Sequence, residues 1–252
     1  MANTLILLYH DIVKQTKNLH IYDVSLNAFK EQMELLKVLV SDENKEMQSY
    51  RLINGHNCAL TFDDGYRVWA QEVLEILKAS KLKAYFFICI KNINDASILK
   101  QHIKTLHENG MIIGSHSVTH RFMHQLTEKE IYDELEQSKK ALEDIIGQKV
   151  LYFSVPRGVC NESVLQIAKE VGYKHVFTSQ IGSNETLDYA LQRIAIKRDT
   201  RTEDFKAILD GTSLDRMVLE QNLKDKAKKV LGIDLYNRLR RIFIPRAEKQ
   251  RI

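Results

Sequence analysis

Over residues 1–210, short apolar runs alternate with longer stretches in which apolar residues recur every three or four positions. The runs at 4–9, 58–62, 84–90, 111–114, 150–154, 174–178 and 192–196 predict strands, and 26–40, 67–79, 97–108, 127–146, 161–171 and 203–209 predict helices. Phe29, Met33, Leu36 and Val40 share a face of the first helix, with Ser25 placed to cap it. Thr127 and Glu130 have the spacing of a capping box, Ile131, Leu135, Leu142 and Ile145 supply the apolar face behind them, and Gly147 stops that helix. The run from Ala84 to Ile90 does not alternate, as expected of a strand buried on both faces of a parallel sheet. Strands separated by helices pair in parallel through right-handed crossovers, as an open doubly wound sheet or a closed α/β barrel. In either, chemistry gathers at the carboxyl ends of the strands, where His10, Asp63, Asp64, His116 and Pro156 all fall.

The chain has 252 residues, 44% hydrophobic and 28% charged, which suits an ordinary globular fold. The early apolar run Leu5–Leu8 is too short for a secretory segment and follows no basic stretch, so the expected location is the cytoplasm. Cys58, Cys89 and Cys160 lie far apart, which argues against a disulfide framework or a thiolate zinc site. Residues 223–251 carry ten Lys or Arg against three acids, a net +7, leaving −3 on the rest of a chain of net +4. The basic excess is therefore local, and a nucleic-acid partner is not expected. From 214 onward Leu219, Leu223, Ala227 and Val230 fall on one stripe of a helix. Beyond Gly232, Leu235, Tyr236, Leu239, Ile242 and Phe243 form another beside Arg238, Arg240 and Arg241. The domain division expected is 1–212 for the barrel and 213–252 for a basic amphipathic tail. That tail either packs on the barrel or makes peripheral contact with anionic lipid.

Three polar clusters follow predicted strands. Asp63 and Asp64 end the first, in Thr61-Phe62-Asp63-Asp64-Gly65. The second, His116-Ser117-Val118-Thr119-His120, places two histidines four apart, on one face of a helical turn. Two imidazoles and a carboxylate with an open position suit a catalytic divalent metal, and the remaining carboxylate then serves as a base. The third, Phe153-Ser154-Val155-Pro156-Arg157-Gly158, is a turn whose backbone N–H groups are candidate oxyanion donors. The other histidines, at 20, 56, 102, 107, 124 and 175, read as surface or packing residues, and Tyr66 and Trp69 as helix packing.

TFDDG, HSVTH and FSVPRG, in this order with helices between them, resemble the leading motifs of the NodB-homology polysaccharide deacetylases (carbohydrate esterase family 4) over about residues 1–210. The resemblance implies a distorted (β/α)7 barrel, here with a C-terminal helical extension. It also implies Asp63 as catalytic base, Asp64, His116 and His120 as ligands of a divalent metal (Zn2+, with Co2+, Ni2+ or Fe2+ open), and the Arg157 N–H beside Pro156 as oxyanion donor. The sequence departs from the pattern twice. Ser154 stands where many members carry an arginine that orients the base, and Arg157, where an aromatic is usual, is the candidate replacement. The late Leu-x-His is missing, since Leu191–Asp199 holds no histidine, yet Leu8-Tyr9-His10 ends the first strand. That arrangement is similar to the circularly permuted branch that includes the biofilm poly-N-acetylglucosamine deacetylases, and makes His10 the general acid. The expected activity is hydrolysis of N-acetyl groups on amino sugars of a polysaccharide or glycan precursor. The alternatives are a deformylase or deacylase of a lipid-linked amino sugar, and a catalytically impaired carbohydrate-binding relative.

Overall fold

The computed structural model describes residues 3–14, 20–44, 49–52, 55–94 and 96–231. Its strands are β1 (Thr4–Tyr9), β2 (Ile12–Val13), β3 (Val24–Ser25), β4 (Val40–Asn44), β5 (Ser49–Leu52), β6 (Asn57–Asp64), β7 (Tyr85–Ile88), β8 (Ile112–Ser115), β9 (Tyr152–Ser154), β10 (His175–Phe177), β11 (Ala190–Leu191) and β12 (Ile194–Ala195). Its helices are α1 (Leu26–Leu39), α2 (Leu74–Ala79), α3 (Lys100–Glu108), α4 (Glu128–Ile146), α5 (Glu162–Glu170), α6 (Thr202–Leu209) and α7 (Leu214–Leu231), with a π-helical turn Trp69–Val73 leading into α2.

The main sheet runs β11-β10-β9-β8-β7-β6-β1-β12, and all pairings along this path are parallel. Its two ends, β11 and β12, are consecutive pieces of one segment. Residues 190–191 pair with β10 on one side, and 194–195 pair with β1 on the other. The segment 190–195 thus joins both edges of a curled sheet with helices packed outside, the distorted (β/α)7 barrel expected. The strand predicted over 192–196 is interrupted. Asn184 Oδ1 accepts from the Gln192 N–H at 2.9 Å and Gln180 O from that of Arg193 at 2.9 Å, so these amides leave the ladder.

Alternation along the strands sorts two layers. Leu5, Leu7 and Tyr9 of β1, Cys58, Leu60 and Phe62 of β6, and Phe86 and Ile88 of β7 pack outward against the helices. Ile6, Ala59, Tyr85, Phe87, Phe177 and Leu191 fill the inside. Gly114 of β8 makes room for this filling, because a Cβ there would lie 2.4 Å from the Phe87 ring. Ser25 caps α1 through the Ala28 N–H at 3.1 Å, Thr127 and Glu130 form the capping box of α4, and Gly147 ends that helix at φ 70°. α3 starts three residues later than its periodicity predicts, because Asn94 Oδ1 takes the N–H groups of Ala96 and Ser97 in a turn.

The sequence reading missed the antiparallel pair β4–β5, which continues onto the start of β6. α7 carries apolar residues on two opposite sides. Leu214 and Met217 rest on the core, whereas Leu219 and Leu223 are 59% and 58% exposed. The second stripe expected from 235 to 243 lies outside the described residues. No described helix is long and apolar enough to cross a membrane.

Candidate active site

Successive residues of a strand face opposite sides, so Asp63 follows Ala59 and Thr61 to the inside of the barrel. There it meets Arg193, which projects from the interruption in the closing segment. Arg193 Nη1 donates to Asp63 Oδ1 at 2.8 Å and Nη2 to Oδ2 at 2.8 Å. The Ser154 hydroxyl donates to Asp63 Oδ2 at 2.8 Å and accepts from Arg193 Nη2 at 2.8 Å, while Arg193 Nε donates to Thr178 O at 2.7 Å. Both charges are buried, Asp63 at 3% and Arg193 at 1% exposure, and the two-pronged bond compensates their desolvation. Burial alone would raise the Asp63 carboxyl. The charges of Arg193 and His116 and the Arg193 hydrogen bonds together outweigh it and hold the pKa below the ordinary value.

Asp64 would face away by alternation, but its φ of 93° turns the strand end back toward the site, and Tyr66 donates to its Oδ2 at 3.2 Å. Asp64 Oδ1 lies 3.4 Å from His116 Nε2 and 3.3 Å from His120 Nε2. One ligand atom from each of the three falls within 4.8 Å of the others. His116 Nδ1 is 2.8 Å from the Ser154 carbonyl, which can only accept, so Nδ1 carries the proton. In the neutral ring Nε2 then offers a lone pair toward a carboxylate. Three acceptors meeting at one point call for a cation, and two imidazoles with one carboxylate fit a divalent one. Burial disfavours the His116 imidazolium, but Asp63 and Asp64 outweigh burial and raise its pKa, so the pocket demands positive charge there. When the two histidines carry a second proton, they likewise outweigh the burial of Asp64 and hold it well below the carboxylate range.

The HSVTH segment is not the helical turn its spacing predicts. Ser117 and His120 adopt positive φ, 66° and 60°, and Ser117 Oγ accepts from the His120 N–H at 3.0 Å. The amides of Val118 and Thr119 turn outward to Glu134 of α4 instead of bonding along a helix.

His10 ends β1, which pairs with β12 as a closed barrel requires. Trp69 Nε1 holds its carbonyl at 3.0 Å, and Tyr22 stacks on its ring with centroids 5.0 Å apart. Its Nδ1 is enclosed without a hydrogen-bond partner. Burial lowers its pKa, and Asp64 and Asp63 offset this only in part. Pro156 is buried and sets the turn in which Arg157 adopts φ 59°. The Arg157 guanidinium lies over the Phe122 ring at 4.5 Å and does not bond Asp63, so it does not replace the arginine missing at Ser154. The arginine that bonds Asp63 is Arg193 instead, 130 residues on, with the Ser154 hydroxyl between the pair. Its signal in the sequence was a lone charge inside an apolar strand. Tyr66 and Trp69, read as packing, and His20, read as surface, also belong here: Tyr66 and His20 line the cleft, and Trp69 braces His10.

These groups open into a cleft of about 910 Å³. Gln221 of α7 accepts from the Ile181 N–H at 2.7 Å and donates to Ser179 O at 3.4 Å, which seats the helix as one wall, with Met217 and Lys224 facing in.

Residues 54–176, which hold all three motifs, match the family model "Polysaccharide deacetylase". That match takes in just under half of the chain. The chain is similar to the putative polysaccharide deacetylase YxkH of Bacillus subtilis, 30% identical over 155 residues that cover 60% of this chain and 56% of YxkH. The peptidoglycan-N-acetylmuramic acid deacetylase PdaA of B. subtilis is 38% identical over 122 residues, 48% of this chain and 45% of PdaA. The chain thus spans about half the length of the curated relatives it matches. The fold recurs in the Streptococcus pyogenes deacetylase PplD solved with acetate. That structure has a TM-score of 0.72 and 22% identity, with 82% of this chain and 98% of PplD covered.

Proposed function

We propose that this chain is a metal-dependent hydrolase that removes N-acetyl groups from amino sugars of a glycan or glycan precursor. The observation that carries the reading is the meeting of Asp63, locked by Arg193, with the Asp64–His116–His120 cluster at the floor of one cleft. Asp64, His116 and His120 would hold the divalent cation, Zn2+ or a similar borderline ion. When bound it supplies Lewis acidity at the acyl group and eases ionisation of water. Asp63, kept ionised by Arg193, accepts a proton from the water whose oxygen attacks the acetamide carbon. The Arg157 N–H stabilises the developing oxyanion, a contribution of about 3–4 kcal/mol for a good donor. His10 gives its proton to the nitrogen as the C–N bond breaks, so acetate and a neutral amine leave. A carbohydrate-binding role alone accounts for neither the buried base nor its dedicated arginine. Relatives named as peptidoglycan and chitin deacetylases support an N-acetylhexosamine substrate.

The test is acetate release from a panel of N-acetylated sugars by the Zn2+- or Co2+-loaded protein. Asp63→Asn is expected to bind metal as the parent does and to lose about 10²–10⁴-fold in turnover. Near-parental turnover in that variant removes Asp63 as base.

The exposed face of α7 favours a finer reading, a substrate presented at the inner surface of a membrane. Leu219 and Leu223 stand free of the barrel in a region followed by Lys224, Lys226, Lys228 and Lys229. Apolar side chains beside lysines suit anionic lipid, and residues 213–252 then act as a docking extension of the 1–212 barrel. Co-sedimentation with anionic liposomes that is unchanged on removing 214–252 rejects this reading.

A further inference from the structure

We propose that Glu134 is a positioning residue for the two histidines, clamping the 117–120 loop in the conformation that lets His116 and His120 reach one cation. The proposal rests on the metal-site reading above. Glu134 lies on α4 among the buried residues Ile131, Leu135 and Ser138, a face that is otherwise apolar or small, and is itself only 4% exposed. A carboxylate there is costly unless bonded on all sides.

All of its bonds from outside α4 come from the histidine loop and the arginine next to it. Oε2 accepts the N–H groups of Val118 at 2.8 Å and Thr119 at 2.9 Å. Oε1 accepts the Thr119 hydroxyl, and Arg121 Nη2 at 3.4 Å. One turn along the same helix, Ser138 Oγ meets Ser115 Oγ at 2.7 Å, at the end of the strand that delivers His116. On its other side the loop's carbonyls are fixed as well. Ser117 O accepts from Ile90 N–H at 3.1 Å and Val118 O from Lys91 N–H at 2.9 Å. The loop is therefore held as a sheet is held, amides to one side and carbonyls to the other, although it contains two non-glycine residues at positive φ. Such conformations persist only where the surroundings over-determine them. Without the Glu134 carboxylate, the amides of 118 and 119, the Thr119 hydroxyl and Arg121 cannot all be bonded as they are. The loop can then leave its positive-φ conformation, which shifts the two imidazoles relative to Asp64.

The experiment measures cation binding directly, by competition of the metal-free protein against a chromophoric chelator for Zn2+ and for Co2+, with the visible spectrum of the Co2+ form as a reporter of ligand geometry. Glu134→Gln keeps the shape but presents an amide where Thr119 and Arg121 donate. It is expected to weaken binding about 10–100-fold, the usual effect of losing an outer partner of a metal ligand, and to alter the Co2+ spectrum. Glu130→Gln, one turn earlier on the same helix, is expected to leave both unchanged. Should Glu134→Gln not fold, Thr119→Val removes one donor and spares the carboxylate, with an expected loss of about 3–10-fold, a smaller share of the same effect. Parental affinity and spectrum in Glu134→Gln, or in Thr119→Val when that variant stands in, overturn the role of Glu134 alone. A parent protein that binds neither cation overturns the metal site and this proposal together.

Discussion

Asp63 is reached by Arg193 through two bonds and by Ser154 through a third, so its ionisation depends on a partner 130 residues away. Because Arg193 lowers the Asp63 pKa, its removal raises that pKa and protonates the base at a higher pH. Arg193→Gln is therefore expected to move the acid limb of the kcat/KM profile upward in pH, besides lowering the plateau. Arg193→Lys keeps the charge but not the fork, and should fall between the two. Breaking the buried pair also costs about 3–5 kcal/mol of stability, readable as a lower denaturant midpoint. Glu134 gives a second pH signature. Burial would raise its carboxyl, but bonds from Thr119, Val118 and Arg121 lower it. With a depressed folded pKa, its contribution is complete above the unfolded value of about 4.3 and fades as pH falls through the folded value. Acid unfolding of the metal-free protein should accordingly flatten in Glu134→Gln. The metal-site candidates were legible in the sequence because each cluster is a run of at most five residues at a strand end. Arg193 was not, because nothing local marks an arginine as the partner of a distant aspartate. Its burial among Leu191, Ile194 and Ile196 was the one readable hint.

At the level of elements, the alternation of strand and helix was legible nearly to the residue in β1, α1 and α4, where caps and periodicity agree. It failed where tertiary bonds override local preference. Asn184 and Gln180 interrupt the last strand, and in HSVTH the amides of Val118 and Thr119 bond Glu134 rather than closing a turn of helix. The β4–β5 pair escaped because its second half depends on pairing with the edge of β6 more than on its own pattern. Gly114 shows how tightly the inner layer is fitted. Gly114→Ala would bring a methyl 2.4 Å from the Phe87 ring and 3.1 Å from Tyr152 O. The expected loss is about 1–3 kcal/mol in urea unfolding, and Phe87→Leu in the same chain should recover part of it by vacating the space.

For the whole molecule, the barrel supplies the polar groups at the cleft floor and α7 supplies a wall that the strands do not provide. Gln221 seats that wall through Ile181 and Ser179. Gln221→Ala should release about 0.5–1.5 kcal/mol of docking, seen as faster amide exchange across 214–224 with the exchange of β6–β8 unchanged. The closing segment has a wider consequence. The same six residues that seal the cylinder also deliver the guanidinium that keeps Asp63, the proposed base, ionised. Loosening 190–195 would silence turnover while nearly every helix is still intact, so in a urea titration acetate release should disappear ahead of the far-ultraviolet signal. Under the proposed reaction, turnover would thus be a gauge of whether the cylinder is shut.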